Sequence, residues 1–143
     1  GKPQNRKDLA SIIADHDVPY VGQTTMIGNF SDLHKKAEKA IYTEGAAFLN
    51  IMTPCPRGWR YDTADIMKIC KLAVETCYWP MFEVEHGKWR LTYEPKKKLP
   101  IEDFLREQGR FKHLFKPGNE DLIAQFQAEV DRRWEELQYK CAR

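Results

Sequence analysis

The 143 residues fit a single domain on the usual allowance of roughly 100–200 residues each, and 42% apolar against 31% charged residues excludes intrinsic disorder. A formal net charge of +2, with basic residues interspersed among acidic ones, excludes a dedicated nucleic-acid binder. No apolar run reaches the roughly 18–20 residues of a membrane span and the basic start leads into no signal-peptide apolar region, so a cytoplasmic protein without a membrane partner is expected.

Leu9, Ile12, Ile13 and His16 recur at helical spacing and predict a short amphipathic helix over residues 8–16, with Asn5 as its cap. Residues 18–24 read as a short strand with Pro19 near its start, followed by a turn at Gly28 and Asn29. Ser31 is expected to cap a helix running to about residue 43. Its inward residues are Leu33, Ala37, Ala40 and Ile41, its outward ones Lys35, Lys36, Glu38 and Lys39, and Gly45 suits the C′ position. The nearly unbroken apolar run over residues 46–52 has the pattern of a strand covered by helices on both faces of a parallel sheet. Helix, strand, helix, strand makes half of an α/β domain.

Residues 53–60, Thr-Pro-Cys-Pro-Arg-Gly-Trp-Arg, form a loop at the carboxyl end of that strand, where open α/β sheets bind ligands. A helix then starts at Asp62 or Thr63. Ile66, Ile69, Cys70, Ala73, Val74 and Cys77 share its apolar stripe, which makes both cysteines core residues. Residues 81–85 and 89–93 flank His86-Gly87-Lys88 as a hairpin, read as a small antiparallel appendage. Residues 95–100 form a linker whose three lysines are either solvated or in contact with an acidic partner. A helix over 100–108 ends at Gly109. After Pro117-Gly118, Leu122, Phe126, Val130, Trp134 and Leu137 line one face of a helix over 120–139.

Cysteines at 55, 70, 77 and 141 form no CxxC pair and no zinc spacing, so neither a self-contained metal site nor a disulfide framework is expected. Dinucleotide, P-loop, nucleophile-elbow and HExxH motifs are absent from the sequence. His16, His34, His86 and His113 are scattered, which fits structural or surface roles. Only Cys55 stands out. Pro54 and Pro56 hold it on a stiff loop that suits a metal ligand or a nucleophile. An ordinary structural thiol is the other reading, and the residues alone favour it, because no His, Asp or second Cys stands near in sequence to activate the thiol.

Five blocks of sequence carry a resemblance. They are Gly-Lys-Pro-Gln-Asn-Arg-Lys-Asp-Leu, Val-Pro-Tyr-Val, Thr-Pro-Cys-Pro-Arg-Gly-Trp-Arg, Lys-Leu-Ala-Val-Glu-Thr-Cys-Tyr-Trp-Pro-Met-Phe-Glu-Val-Glu-His-Gly, and Glu-Gln-Gly-Arg-Phe. In this order they resemble the carboxyl-terminal half of the beta subunit of the 2-oxoacid:ferredoxin oxidoreductases, closest to the pyruvate type. The resemblance implies half of a thiamine-diphosphate-binding fold over residues 1–80, and a hairpin plus helical extension over 81–143. It implies oxidative decarboxylation of a 2-oxoacid, pyruvate favoured, to acyl-CoA and CO2, with electrons passing through [4Fe-4S] clusters to ferredoxin. Cys55 matches the last ligand of the cluster nearest the thiamine. The other three ligands, and the motif that holds thiamine diphosphate and Mg2+, belong to the amino-terminal half. Together with the other oxidoreductase subunits, that half is therefore an expected partner. Gly1 is not an initiator Met and the first residues read as an internal loop, so the chain is expected to be a piece of something longer, inert by itself and stably folded only with a partner.

Around the cluster, Arg57 would stabilise the added electron or pair with a local carboxylate. Trp59 would shield the cluster or, as favoured here, pack under the loop. Gln23, Thr24 and Thr25 would edge toward the thiamine. A rival reading is a non-catalytic assembly subunit that docks partner chains.

Overall fold

Alternation between two faces organises the sheet. In a computed structural model, which describes residues 6–27 and 30–143, strand β1 (Tyr20–Thr25) runs parallel to β2 (Ala47–Met52), from Tyr20 opposite Ala47 to Thr25 opposite Met52. Helix α2 (Ser31–Tyr42) joins them. Strands β3 (Phe82–Glu85) and β4 (Lys88–Leu91) form a hairpin whose turn residues His86 and Gly87 take φ of 47° and 75°, the conformation that matches strand twist. The hairpin is no appendage. β3 pairs antiparallel with β1, giving one four-stranded sheet in the order β2-β1-β3-β4. This α/β arrangement is compatible with the expected half of a thiamine-diphosphate-binding fold.

One face carries Val21, Phe82, Val84 and Met52 into the core, where Phe82 stacks on Trp89 at 5.4 Å. Tyr20, Gly22, Thr24 and Glu83 occupy the opposite face, under α2. Gly22 leaves room there: a Cβ would lie 2.9 Å from Leu49 Cδ2 and 3.3 Å from Lys36 Cδ, side-chain atoms that would have to shift.

That polar face rotates α2 from its expected orientation, although Lys35 and Glu38 are exposed and Leu33, Ala37 and Ala40 half-buried as expected. Lys36 is buried at 1% exposure, whereas Ile41 is 77% exposed. An amphipathic reading assumes an apolar sheet face; here buried Glu83 accepts from Tyr20 Oη at 3.0 Å and Lys39 Nζ at 2.8 Å, and pairs with Arg90. Lysines are thereby drawn inward. Phe30, in the left-handed region, holds the N-cap position expected of Ser31, and Gly45 lies two residues beyond the C-cap Thr43 rather than at C′. β2 has α1 (Leu9–Ala14) on one face and α2 on the other, as expected, but both cover it only in part. It is an edge strand with Ala47 and Ile51 exposed, and open edges beside exposed apolar side chains such as Ile41 and Tyr42 invite association.

Helix α1 (Leu9–Ala14) is shorter than expected and capped by Asp8, whose carboxylate accepts from the Ser11 amide at 3.1 Å. Ala10 is its buried residue, while Leu9, Ile12 and His16 are exposed, so the stripe is rotated. Asn5, Gly28 and Asn29 lie outside the described residues. The short helix α3 (Pro56–Trp59) replaces part of the expected loop. After a 3-10 turn, α4 (Ile66–Glu75) buries Ile69, Cys70, Ala73 and Val74, and Cys77 follows beyond its end at φ 57°, still in the core. Helices α5 (Ile101–Arg106) and α6 (Glu120–Cys141) close the core with Phe104, Leu105, Val130, Trp134 and Leu137, and a 3-10 segment, Gly109–Phe115, links them. Among the described residues no helix is long and apolar enough to cross a membrane.

Candidate functional site

Two prolines decide how residue 55 is presented. Each fixes its own φ and keeps the residue before it extended, and Cys55 accordingly sits at φ −91°, ψ 111°, as the N-cap of α3. The thiol stands exposed, just past the carboxyl end of β2. Its Sγ accepts a hydrogen bond from the Gly58 amide at 3.4 Å, and its carbonyl accepts one from the Trp59 amide at 2.9 Å.

The loop is braced from other elements. Tyr61 Oη donates to the Pro54 carbonyl at 3.0 Å, and Thr25 Oγ1 donates to the Met52 carbonyl at 2.7 Å. Burial raises the Tyr61 phenol above its ordinary value, so it remains a donor. Arg60 closes α3 in the left-handed region, and its carbonyl accepts from the Gly109 amide at 2.9 Å. An alanine methyl at 109 would stand 2.8 Å from Arg60 Cβ and 2.9 Å from that carbonyl oxygen. Because one of these neighbours is backbone, Gly109→Ala is expected to cost about 1–3 kcal/mol, measurable as a lowered urea midpoint.

Trp59 is half-buried, edge-to-face with Phe104 at 6.2 Å, and the Arg110 guanidinium lies 3.7 Å from its ring centroid. Arg57 is exposed on the outer side of α3. Gln23, Thr24 and Thr25 are all buried at the end of β1. Thr24 Oγ1 donates to Asp32 Oδ2 at 2.6 Å on the α2 side, whereas Gln23 Nε2 donates to the Pro80 carbonyl at 3.0 Å. Of these three, Thr25 is the one whose side chain reaches the segment leading to Cys55.

The remaining cysteines differ in kind. Burial raises the Cys70 thiol above its ordinary value and pushes Cys77 up to about 11, and it raises the half-buried Cys141 as well. Such thiols stay protonated and are poor ligands. Among the described residues no group of three or more His, Cys, Asp or Glu side chains could hold a metal ion. A cleft of about 750 Å3 between the hairpin and α6 is lined by Tyr78, Phe82, Trp89 and Phe126 and does not include Cys55. A second cleft of about 660 Å3 opens beside Thr25, Asp32 and Lys71.

Sequence reasoning missed Tyr61, Gly109 and the Lys36 cluster. Lys36 Nζ donates to Asp32 Oδ2 at 2.7 Å, the Gln23 carbonyl at 2.8 Å and Thr92 Oγ1 at 2.7 Å. The spacing of Asp32 and Lys36 signalled an ion pair along one helix, but nothing local signalled its burial. Gly109 lay within the Glu-Gln-Gly-Arg-Phe block without a visible partner.

No family model matches the chain. It is 41% identical over 138 residues to the pyruvate synthase subunit PorB of Thermotoga maritima, a match spanning 96% of this chain and 42% of that protein. The PorB subunit of Methanosarcina barkeri is 43% identical over 132 residues, 92% of this chain and 44% of its own length. The ketoisovalerate oxidoreductase subunit VorB of Pyrococcus furiosus is 39% identical over 136 residues, 94% and 42% respectively. The chain thus spans less than half the length of these relatives. Along nearly its whole length the chain is similar to the PorB subunits of pyruvate synthases and to the VorB subunit of a ketoisovalerate oxidoreductase.

Proposed function

We propose that the chain is part of the beta subunit of a 2-oxoacid:ferredoxin oxidoreductase, in which Cys55 supplies one of the four thiolates of a [4Fe-4S] cluster. The observation that carries this reading is the exposed, proline-flanked Cys55 with an amide hydrogen at its sulfur, in a chain similar to PorB. Amide donors stabilise a thiolate ligand and tune the potential of its cluster. The fit is to one ligand, so the other three come from the remainder of a longer polypeptide.

When bound, thiamine diphosphate with Mg2+ supplies the decarboxylation chemistry and the cluster carries single electrons. The overall reaction takes a 2-oxoacid, CoA and two oxidised ferredoxins to acyl-CoA, CO2, a proton and two reduced ferredoxins. Identities of 35–43% to pyruvate synthase subunits straddle the 39% to the ketoisovalerate enzyme, so the choice of pyruvate rests on the resemblance of the Thr-Pro-Cys-Pro-Arg-Gly-Trp-Arg loop to the pyruvate type. Within this reading residues 1–80 form the carboxyl-terminal half of the thiamine-diphosphate fold, and residues 81–143 add the hairpin that extends its sheet and the helical extension. Arg57, exposed beside the ligand, stabilises the reduced cluster, Trp59 packs the loop, and Thr24 and Thr25 back the wall nearest the thiamine. The reaction takes place in the cytoplasm, with the other oxidoreductase subunits as partners. The exposed apolar residues of α2 and the open edge of β2 support docking of such chains, the part this reading shares with the non-catalytic alternative.

Pyruvate- and CoA-dependent ferredoxin reduction by the complete complex tests the proposal; a complex with full iron content but no activity toward any 2-oxoacid would refute it. Titration of the isolated chain with thiamine diphosphate and Mg2+ is expected to give no saturable heat, and saturable, Mg2+-dependent binding would contradict the placing of that site on the other half.

A further inference from the structure

The two prolines leave part of the Cys55 loop free to turn. Pro54 and Pro56 set their own φ and restrict ψ at Thr53 and Cys55. The orientations of the Met52–Thr53 and Pro54–Cys55 peptide planes are not set by either ring. Those are the planes whose carbonyls accept hydrogen bonds from side chains elsewhere, Met52 from Thr25 Oγ1 at 2.7 Å and Pro54 from Tyr61 Oη at 3.0 Å. Downstream, the Trp59 and Arg60 amides donate to the carbonyls of Cys55 at 2.9 Å and Pro56 at 2.8 Å. The carbonyls of Met52, Pro54, Cys55 and Pro56 therefore all have donors, and the two side-chain donors act on the approach to the thiol.

We infer that Thr25 and Tyr61 are positioning residues for Cys55, each fixing through its hydroxyl one peptide plane that the flanking prolines leave free. Thr25 is buried at 1% exposure and belongs to β1, the strand paired with β2, so it refers the loop to the sheet itself. Tyr61 refers it to the chain that leaves α3. A ligand held from both sides loses little ordering entropy on binding metal, and residues that orient a ligand without touching the metal typically contribute 10–100-fold to its retention. The inference rests on the reading of Cys55 as a cluster ligand.

The test uses the complete complex under anaerobic conditions, with iron release to a chelator and the electron paramagnetic resonance spectrum of the reduced clusters as readouts. Tyr61→Phe and Thr25→Val are expected to release iron roughly 10–100-fold faster from one cluster and to shift that cluster's spectrum. Thr25→Ser, which keeps the hydroxyl, should release iron at the wild-type rate and leave the spectrum of the reduced clusters unchanged. Unchanged release and unchanged spectra in both variants, while Cys55→Ser abolishes the cluster, would overturn the positioning role alone. Full retention of the cluster in Cys55→Ser would overturn it together with the ligand reading. If Thr25→Val fails to accumulate, Tyr61→Phe decides by the same criteria.

Discussion

Asp32→Ala is expected to destabilise the protein by about 3–5 kcal/mol, because it removes the hydrogen-bonded counter-charge of a buried ammonium and leaves only the field of the Glu83 carboxylate in its place. Lys36 is 1% exposed, and after the substitution only the Gln23 carbonyl and the Thr92 hydroxyl would remain as its hydrogen-bond partners. Burial alone would raise the Asp32 carboxyl, but hydrogen bonds from Lys36, Thr24 and Thr92 together outweigh it and hold the group below its ordinary 3.8. Burial pulls the Lys36 ammonium down from its ordinary value, and the Asp32 carboxylate opposes that. A depressed carboxyl contributes stability that is fully present above its unfolded value and is lost as pH falls through the lower folded value. The gap in urea midpoint between wild type and Asp32→Ala should therefore be full at neutral pH and shrink in acid below 3.8. A gap under about 1 kcal/mol, the range of exposed pairs, or one unchanged in acid, would contradict this account of α2.

The second large effect is on cofactor content. In the complete enzyme, Cys55→Ser should remove or destabilise one [4Fe-4S] cluster, seen as a loss of about four iron atoms and their sulfide per subunit. The fold should persist, since the side chain is exposed and its carbonyl bond to Trp59 does not involve sulfur. Cys70→Ala and Cys77→Ala should instead leave iron unchanged and cost on the order of 1 kcal/mol in packing. These two thiols are buried at 0% and 3% exposure and lie in the core. Iron analysis of the three variants side by side separates the roles, and a full iron count in Cys55→Ser with undiminished ferredoxin reduction would contradict the assignment.

Local signals carried most of the fold. The parallel β1-α2-β2 unit follows from an apolar run, a bounded helix and short connections, and the hairpin from the runs 81–85 and 89–93 around His86-Gly87-Lys88, although Lys88 proves to belong to β4, which ends at Leu91. Orientation was less legible. Which side of α2 faces the sheet depends on Glu83 and Thr92, which reach the helix only through strand pairing and the hairpin. The same limit hid the edge position of β2, because an apolar run reads alike whether its covering lies in this chain or elsewhere. Cys55 stood out through its two prolines and the resemblance, both visible in sequence. Tyr61 did not, and Thr25 was expected beside the thiamine rather than as a brace of the loop, since a hydroxyl reveals its acceptor only once the carbonyls of Pro54 and Met52 have been placed.

Diffraction at the iron absorption edge from crystals of the complete complex reports on the central claim most directly. The anomalous map should show iron of a four-iron cluster bonded to Cys55 Sγ, with the other three protein ligands outside this stretch of chain. A cluster completed by four other residues, with Cys55 Sγ free of metal, would contradict it.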